Sequence, residues 1–334
     1  MTAADRLEAL LADIDAGPAE LAAVLHAQRE AIADVPLGAL ARPTWRLIGM
    51  GSSRFAGLDA AARLRADGRD AHAETASASC GSPGGRDTLV VAISASGRTA
   101  EVLAAAERHH GTAFVLGLTA RGVAGLAAAA DAFVPLAAAY VETAGIATMT
   151  YRATVAALFG LSGEGEPDAV RRSLAATPAA LREVIDGQAA WLEDAVRVLD
   201  GGRPVHVLGD GYRAGAVEQA ALMLREAPRI PALAFETGDW LHTGLYTLVP
   251  GDPVLLLAGS PADAEAITTI HARGGLVVVV GPERDGADVH VPLPVAAAAD
   301  PVVRAVVEPS VAELLAAELW RRTAAVTLDE VRTR

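Results

Sequence analysis

VVAISASGRTAEVL, residues 90–103, opens as an unbroken apolar run, turns through Ser94, Ala95, Ser96, Gly97, Arg98 and Thr99, and resumes with apolar residues at helical spacing. The run suits a strand covered on both faces, as in a parallel sheet. Its turn then falls at the strand's carboxyl end, where open α/β sheets bind ligands. A helix beginning near Arg98 would aim its free N–H groups and the positive end of its dipole at the same place. The hydroxyls of Ser94, Ser96 and Thr99, the bare amides and the permissive backbone of Gly97 make a phosphate cradle that needs no lysine. Helix capping accounts for one of these hydroxyls but not for three.

The same grammar recurs along the chain. GMGSSRFAG, residues 49–57, follows the short apolar run at Trp45–Ile48 and places Gly51, Ser52 and Ser53 at a second strand end. It lacks the Gly-Lys-Ser/Thr of a nucleotide-binding loop, and Arg54 stands where a dinucleotide fingerprint has its third glycine. RPVHVLGDGYRAGAVEQAALMLREA, residues 203–227, restarts strand, glycine turn and helix, so the second half looks like a relative of the first. Strands alternating with helices of this length imply α/β domains with parallel sheets and right-handed crossovers. The expected organisation is an N-terminal helical segment over 1–35, a first domain over 36–161, a linker and helical connection over 162–200, and a second domain with a C-terminal helix and tail over 201–334. Gly, Pro and acidic residues cluster at 162–170, which marks the linker.

Composition narrows the function. At 334 residues the chain exceeds one ordinary core, and 52% hydrophobic but only 4% aromatic content calls for a core of Ala, Val and Leu. A net charge of -13 counts against nucleic acid or an anionic membrane as partner. All 28 basic residues are arginine, which excludes a lysine Schiff base. Cys80 is the sole cysteine, so an internal disulfide and a cysteine-based zinc site are both excluded, and its expected role is packing in a reducing compartment. The first thirty residues carry neither a signal peptide's apolar core nor a membrane span, and a cytoplasmic location is expected. His109 and His110 adjoin at a helix end, where a favourable dipole interaction explains them better than a metal does. Asp239, Trp240 and His242 form no metal-ligand pattern; no metal or other cofactor is expected.

Together these motifs resemble the phosphate-binding signature of the sugar isomerase (SIS) domain family. Its usual form is Ser-x-Ser-Gly-x-Thr followed by an acidic residue, preceded by a Gly-x-Gly-Thr/Ser-Ser loop. VETAGIATMT, residues 141–150, is similar to the family's glutamate-containing loop. The tandem arrangement resembles the isomerase half of glucosamine-6-phosphate synthase and related phosphosugar isomerases and aminosugar-phosphate deaminases. The resemblance implies two SIS-type domains, each a three-layer αβα sandwich. It also implies a phosphorylated sugar or aminosugar as substrate, and a homodimer whose active site is shared between subunits. Ser52, Ser53, Ser94, Ser96, Gly97 and Thr99 would bind the phosphate; Gly51, Ala95, Glu142, Ile146 and Met223 would line the substrate. Arg54 and Arg98 stand close enough in sequence to contact phosphate as well.

LREAPRIPALAFETGDWLHTG, residues 224–244, would correspond to the family's catalytic segment. Glu226 falls on the glutamate that moves a proton between sugar C1 and C2, and His242 on the histidine of ring opening. A partly buried carboxylate can remove a carbon-bound proton and return it one carbon away, and histidine donates and accepts near neutral pH. Two departures stand out: Met223 and Glu330 occupy positions where the synthase pattern has lysines. Met1 is followed by Thr2 rather than a cysteine nucleophile, so glutamine-dependent amination by this chain is not expected. A sugar-phosphate-binding regulator without catalysis, or an SIS enzyme for an atypical sugar phosphate, remain alternative readings of the same residues.

Overall fold

The structure, a computed structural model, describes residues 2–78, 84–122, 125–138, 142–163 and 167–332, with backbone only at 167 and 324–332. Cys80 and the Glu330 side chain lie outside what is described. The chain divides into two compact units. One, the N-sheet unit, comprises Gly17–Val141 and Met149–Pro178; the other, the C-sheet unit, comprises Met1–Ala16, Glu142–Thr148 and Ala179–Arg334. Helix α1 (Ala3–Ala33) therefore gives its first turns to the C-sheet unit and the remainder to the N-sheet unit.

In the N-sheet unit the elements after α1 run α2 (Leu37–Leu40), β1 (Thr44–Gly49), α3 (Ser52–Ala66), β2 (Asp70–Thr75), β3 (Thr88–Ile93), α4 (Ala100–His109), β4 (Phe114–Thr119), α5 (Leu126–Ala129), β5 (Ala132–Pro135) and α6 (Met149–Ser162). All five strands are parallel in the order β2-β1-β3-β4-β5. Every residue of β3 is buried, and Val90 and Ala92 pack with Val102, Ala105 and Ala106 of α4. Gln28 of α1 donates to the carbonyls of Pro135 (3.0 Å) and Ala153 (2.8 Å), satisfying polar groups that burial would otherwise leave costly.

Helix α7 (Pro167–Gly187) runs from one unit into the other. The C-sheet unit continues with α8 (Leu192–Leu199), β6 (Val205–Gly209), α9 (Ala214–Glu226), β7 (Ala232–Glu236), α10 (Thr237–Trp240), β8 (Pro253–Leu257), α11 (Asp263–Ala272), β9 (Leu276–Val280), β10 (Val289–Val291), α12 (Val295–Ala299), α13 (Pro301–Val307) and α14 (Pro309–Arg332). Its strands are parallel in the order β10-β9-β8-β6-β7, the N-sheet order read from the other edge. In each sheet the chain reverses its direction of growth between the first and third strands, β1 and β3 or β6 and β8, which creates a crevice at their carboxyl ends.

Three expectations need correction or addition. Helix α4 begins at Ala100 rather than near Arg98, because Thr99 is still extended (φ -61°, ψ 114°). His109 is buried, and desolvation, reinforced by Arg108, holds its imidazole below the ordinary range; Glu74 opposes this. A neutral ring gains little from a helix dipole, so packing explains this residue better than the charge interaction does. The edge strands β2, β5 and β7 carry no apolar run long enough to announce them.

The two crevices differ in what fills them. In the C-sheet unit Arg213 donates through Nη1 to both oxygens of Glu308 (2.9 and 2.8 Å) and through Nη2 to the carbonyls of Leu257 (2.7 Å) and Ala258 (3.0 Å). Arg304 adds bonds to Glu308 Oε1 from Nε (2.8 Å) and Nη2 (2.6 Å). Gly259 and Gly281 make room: a Cβ there would lie 2.6 Å from Arg213 Nη2 and 2.5 Å from Arg304 Nη2, respectively. The side chain of Glu308 is wholly buried, so removing it strands two guanidinium groups with little solvent to receive them. Glu308→Ala is expected to lower stability by about 3 kcal/mol, measured as a shift in the urea unfolding midpoint.

Candidate active site

The crevice of the N-sheet unit is lined with hydroxyls instead. Ser94, buried at the end of β3, lies 2.9 Å from Thr99 and 3.5 Å from Ser96 between side-chain oxygens. Ser96 Oγ accepts from the Arg98 amide at 3.2 Å. Gly97 turns the chain with φ 65°, a conformation that carries no steric penalty without a β-carbon. Its carbonyl receives the Leu126 amide at 2.8 Å. Gly125 allows this approach, since a Cβ there would sit 2.1 Å from that carbonyl oxygen.

Thr99 occupies the N-cap position of α4, yet its side chain makes no capping bond and is engaged with Ser94. The first amides of a ten-residue helix are thus left without a side-chain cap beside the hydroxyls. On the neighbouring strand, Gly51 (φ 50°) ends the β1 loop, and Ser52 and Ser53 are the first residues of α3, likewise without a side-chain cap. Ala95 lies half-buried within the cradle. Arg98 is exposed, and Arg54 lies over the Phe55 ring at 5.3 Å.

The remaining candidates belong to the C-sheet unit. Glu142 closes its own loop, its Oε1 accepting from the Thr148 amide (2.6 Å) and hydroxyl (3.2 Å). Buried Asp13 of α1 holds the same loop through the amide (3.1 Å) and hydroxyl (3.1 Å) of Thr143 and the amide of Ala144 (3.0 Å). Gln219 of α9 donates to the carbonyl of Ala147 at 3.0 Å. Gln219, Met223 and Glu226 are spaced four and three apart, which puts them on one stripe of α9. The stripe that carries Met223 and Glu226 is therefore fastened to the loop that carries Glu142 and Ile146, and both Met223 and Ile146 are buried.

Glu226, half-buried, is the last residue of α9. Desolvation raises its carboxyl above the ordinary carboxylate value; Arg229, Arg6 and Arg225 pull the other way. His242 is exposed in the loop after α10, its amide bonded to the carbonyl of Asp239 at 2.9 Å. No hydrogen bond or ion pair joins it to Glu226 among the described residues. Trp240 anchors that loop from within, donating from Nε1 to His206 Nδ1 at 2.9 Å, and Glu236 accepts the Asp239 amide at 2.7 Å. Asp13, Gln219 and Arg6 complete the surroundings of Glu142 and Glu226 without having been apparent in the sequence.

The raised Glu226 carboxyl has a consequence for stability. The folded state binds its proton more tightly than the unfolded chain does, so its contribution falls as pH rises from the ordinary carboxyl value through the raised one. Glu226→Gln is accordingly expected to raise the melting temperature at pH 7.5 and to make no difference at pH 4. Paired thermal scans at the two values check this.

Comparison with family models gave no match. The chain is 30% identical over 221 residues, 59% of its length, to the isomerizing glutamine-fructose-6-phosphate aminotransferase of Aeropyrum pernix. It spans about a third of the length of the curated relatives it matches, 34% in that case. Among solved structures it is similar to the C-terminal domain of glucosamine-fructose-6-phosphate aminotransferase from Francisella tularensis, with a TM-score of 0.81 at 17% identity over 95% of this chain and 96% of that one. It is also similar to tagatose-6-phosphate ketose/aldose isomerase from Escherichia coli, with a TM-score of 0.79 at 16% identity over 94% and 92% of the two chains. The likeness to these solved structures shows the fold, two parallel α/β sheets flanked by helices.

Proposed function

We propose that the chain is a cytoplasmic phosphosugar isomerase, or an isomerising aminosugar-phosphate deaminase, that uses Glu226 as its proton shuttle. The observation that carries this reading is Glu226 itself: a half-buried carboxyl, raised in proton affinity, at the end of a helix fastened to the Glu142 loop. A base of that kind takes the C2 proton of an open-chain aldose, the freed pair forms the C1–C2 double bond as the C1 carbonyl pair moves to its oxygen, a proton passes from the C2 hydroxyl to that oxygen, and the same carboxyl returns the C2 proton to C1 as C2 becomes a carbonyl. With an amino group at C2 the product is an imine, which water converts to the ketone with release of ammonia. His242 assists ring opening, and Ser52, Ser53, Ser94, Ser96, Gly97 and Thr99 hold the phosphate. The open α4 amides and the Thr99–Ser94 contact support that assignment. Gly51, Ala95, Glu142, Ile146 and Met223 line the sugar. The reading needs no cofactor, and a homodimer would let the exposed His242 serve a second copy; full activity in a monomer would contradict that arrangement.

The alternative of a sugar-phosphate-binding regulator draws on Met223, a buried thioether where the related synthases have a lysine. The two part on carbon-acid chemistry. In deuterated water with glucosamine 6-phosphate, fructose 6-phosphate and other sugar phosphates, the wild type is expected to place deuterium at C1 or C2. Glu226→Gln should slow this by about a thousandfold. Binding without exchange would favour the regulator. Ser96→Ala is expected to weaken sugar-phosphate binding roughly tenfold, as loss of one hydrogen bond to a charged group does, read by calorimetric titration.

A further inference from the structure

His206 stands on β6, between β7 and β8, in a strand buried at every residue. Its own exposure is 1%, at a position where an apolar side chain would pack without needing a partner. The imidazole Nδ1 accepts the indole N–H of Trp240 at 2.9 Å. An indole nitrogen can only donate, so Nδ1 carries no proton and the ring is neutral in this contact. Desolvation favours that state, against the pull of Asp252. Phe235 of β7 stacks on the imidazole with centroids 5.8 Å apart and planes 24° apart, and Trp240 meets it edge-on at 89°.

Trp240 in turn carries the segment that leads to His242. Helix α10 has four residues, too few to sustain a helix unaided. Local bonds close the turn upon itself: Glu236 accepts the Asp239 amide at 2.7 Å, and the Asp239 carbonyl accepts the His242 amide and the Thr243 hydroxyl, each at 2.9 Å. Just past His242 the chain folds over the edge of the indole. A β-carbon on Gly244 would lie 2.2 Å from Trp240 Cδ1 and 2.8 Å from Nε1, so the ring cannot tilt without moving this backbone. The indole is wholly buried, and it joins the turn to the sheet. Apolar packing alone leaves the tilt of such a ring loosely set, whereas a hydrogen bond from its nitrogen gives it a direction.

We propose that His206 is a positioning residue for His242: by accepting the Trp240 N–H it fixes the tilt of the indole and, through it, the turn that presents the His242 ring. The inference rests on the reading of His242 as the group that opens the sugar ring, and its test separates the two. Fructose 6-phosphate must open before a C1 proton can exchange, whereas 5-deoxyfructose 6-phosphate lacks the ring oxygen and is always open. His206→Leu is expected to slow C1 deuterium exchange of the first roughly tenfold and to leave that of the second within about twofold of wild type. His206→Asn, which puts a carbonyl oxygen near the place of Nδ1, should keep the wild-type rates with both sugars. Because His206→Leu strands a buried N–H, the double variant of His206→Leu with Trp240→Phe removes both partners and keeps a folded protein for the same comparison. Equal slowing of the two sugars, or slowing of neither, would show His206 serving the fold alone and would overturn the proposal.

An independent readout needs no sugar: the exchange of the His242 amide, held by the Asp239 carbonyl, with deuterated water, followed by nitrogen–proton NMR. It is expected to quicken about tenfold in His206→Leu and in the double variant, and to keep its wild-type rate in His206→Asn. An unchanged rate in the first two overturns the proposal whether or not the protein acts on a sugar. If the rate quickens while His242→Asn exchanges fructose 6-phosphate as the wild type does, or while the wild type acts on neither sugar, the anchoring stands and the reading of His242 fails.

Discussion

A strand sandwiched between two layers of helix has little room for polar side chains except at or beyond its ends, and this constraint shapes both halves of the molecule. β3 and β8 are buried along their whole length, so the first polar groups after them appear together at the crevice between neighbouring strands. In one sheet that crevice holds Ser94, Ser96 and Thr99 around a left-handed glycine. In the other it is occupied by Arg213, Arg304 and Glu308. The same topology thus yields an open polar hollow in one case and a self-satisfied ion cluster in the other, and the difference lies in a few side chains.

A chain without lysine must place positive charge with a longer, planar and permanently ionised group. Around Glu226 this yields a balance between opposing effects: desolvation favours the protonated acid, and three arginines favour the carboxylate. Among the described residues, Arg225 bonds the Ala232 carbonyl and Arg6 the Ala144 carbonyl. These two thereby join the end of α9 to β7 and the start of α1 to the Glu142 loop.

The strand-turn-helix units at β1, β3 and β6 were legible because their strands are short apolar runs ended by glycine or serine. The edge strand β2, with the sequence Asp-Ala-His-Ala-Glu-Thr, was not: its polar residues face solvent or pair with Arg46, and only one position is buried. The gathering of Ser94, Ser96 and Thr99 could be read from spacing, since all three lie on one turn. The attachment of Asp13 to Thr143 could not, because nothing local joins a helix near the start of the chain to a loop so far along it. Arg229 shows another limit. Pro228 signals that a helix stops, but not that the next residue takes a φ of 63° or that the Ile230 amide returns to the Leu224 carbonyl.

The hydroxyl turn after β3 is not finished by its own residues. The Ser94 amide bonds the carbonyl of Leu118, the Ala95 carbonyl receives the Ala120 amide, and the Gly97 carbonyl receives that of Leu126. Each partner lies downstream, in β4, just after it, or at the start of α5. During synthesis, then, the turn emerges well before anything can fix its shape, and it gains a defined form only once the chain has been extended through Leu126. The shape of the turn is in this sense a late-arriving property of an early segment, acquired when the following strand docks.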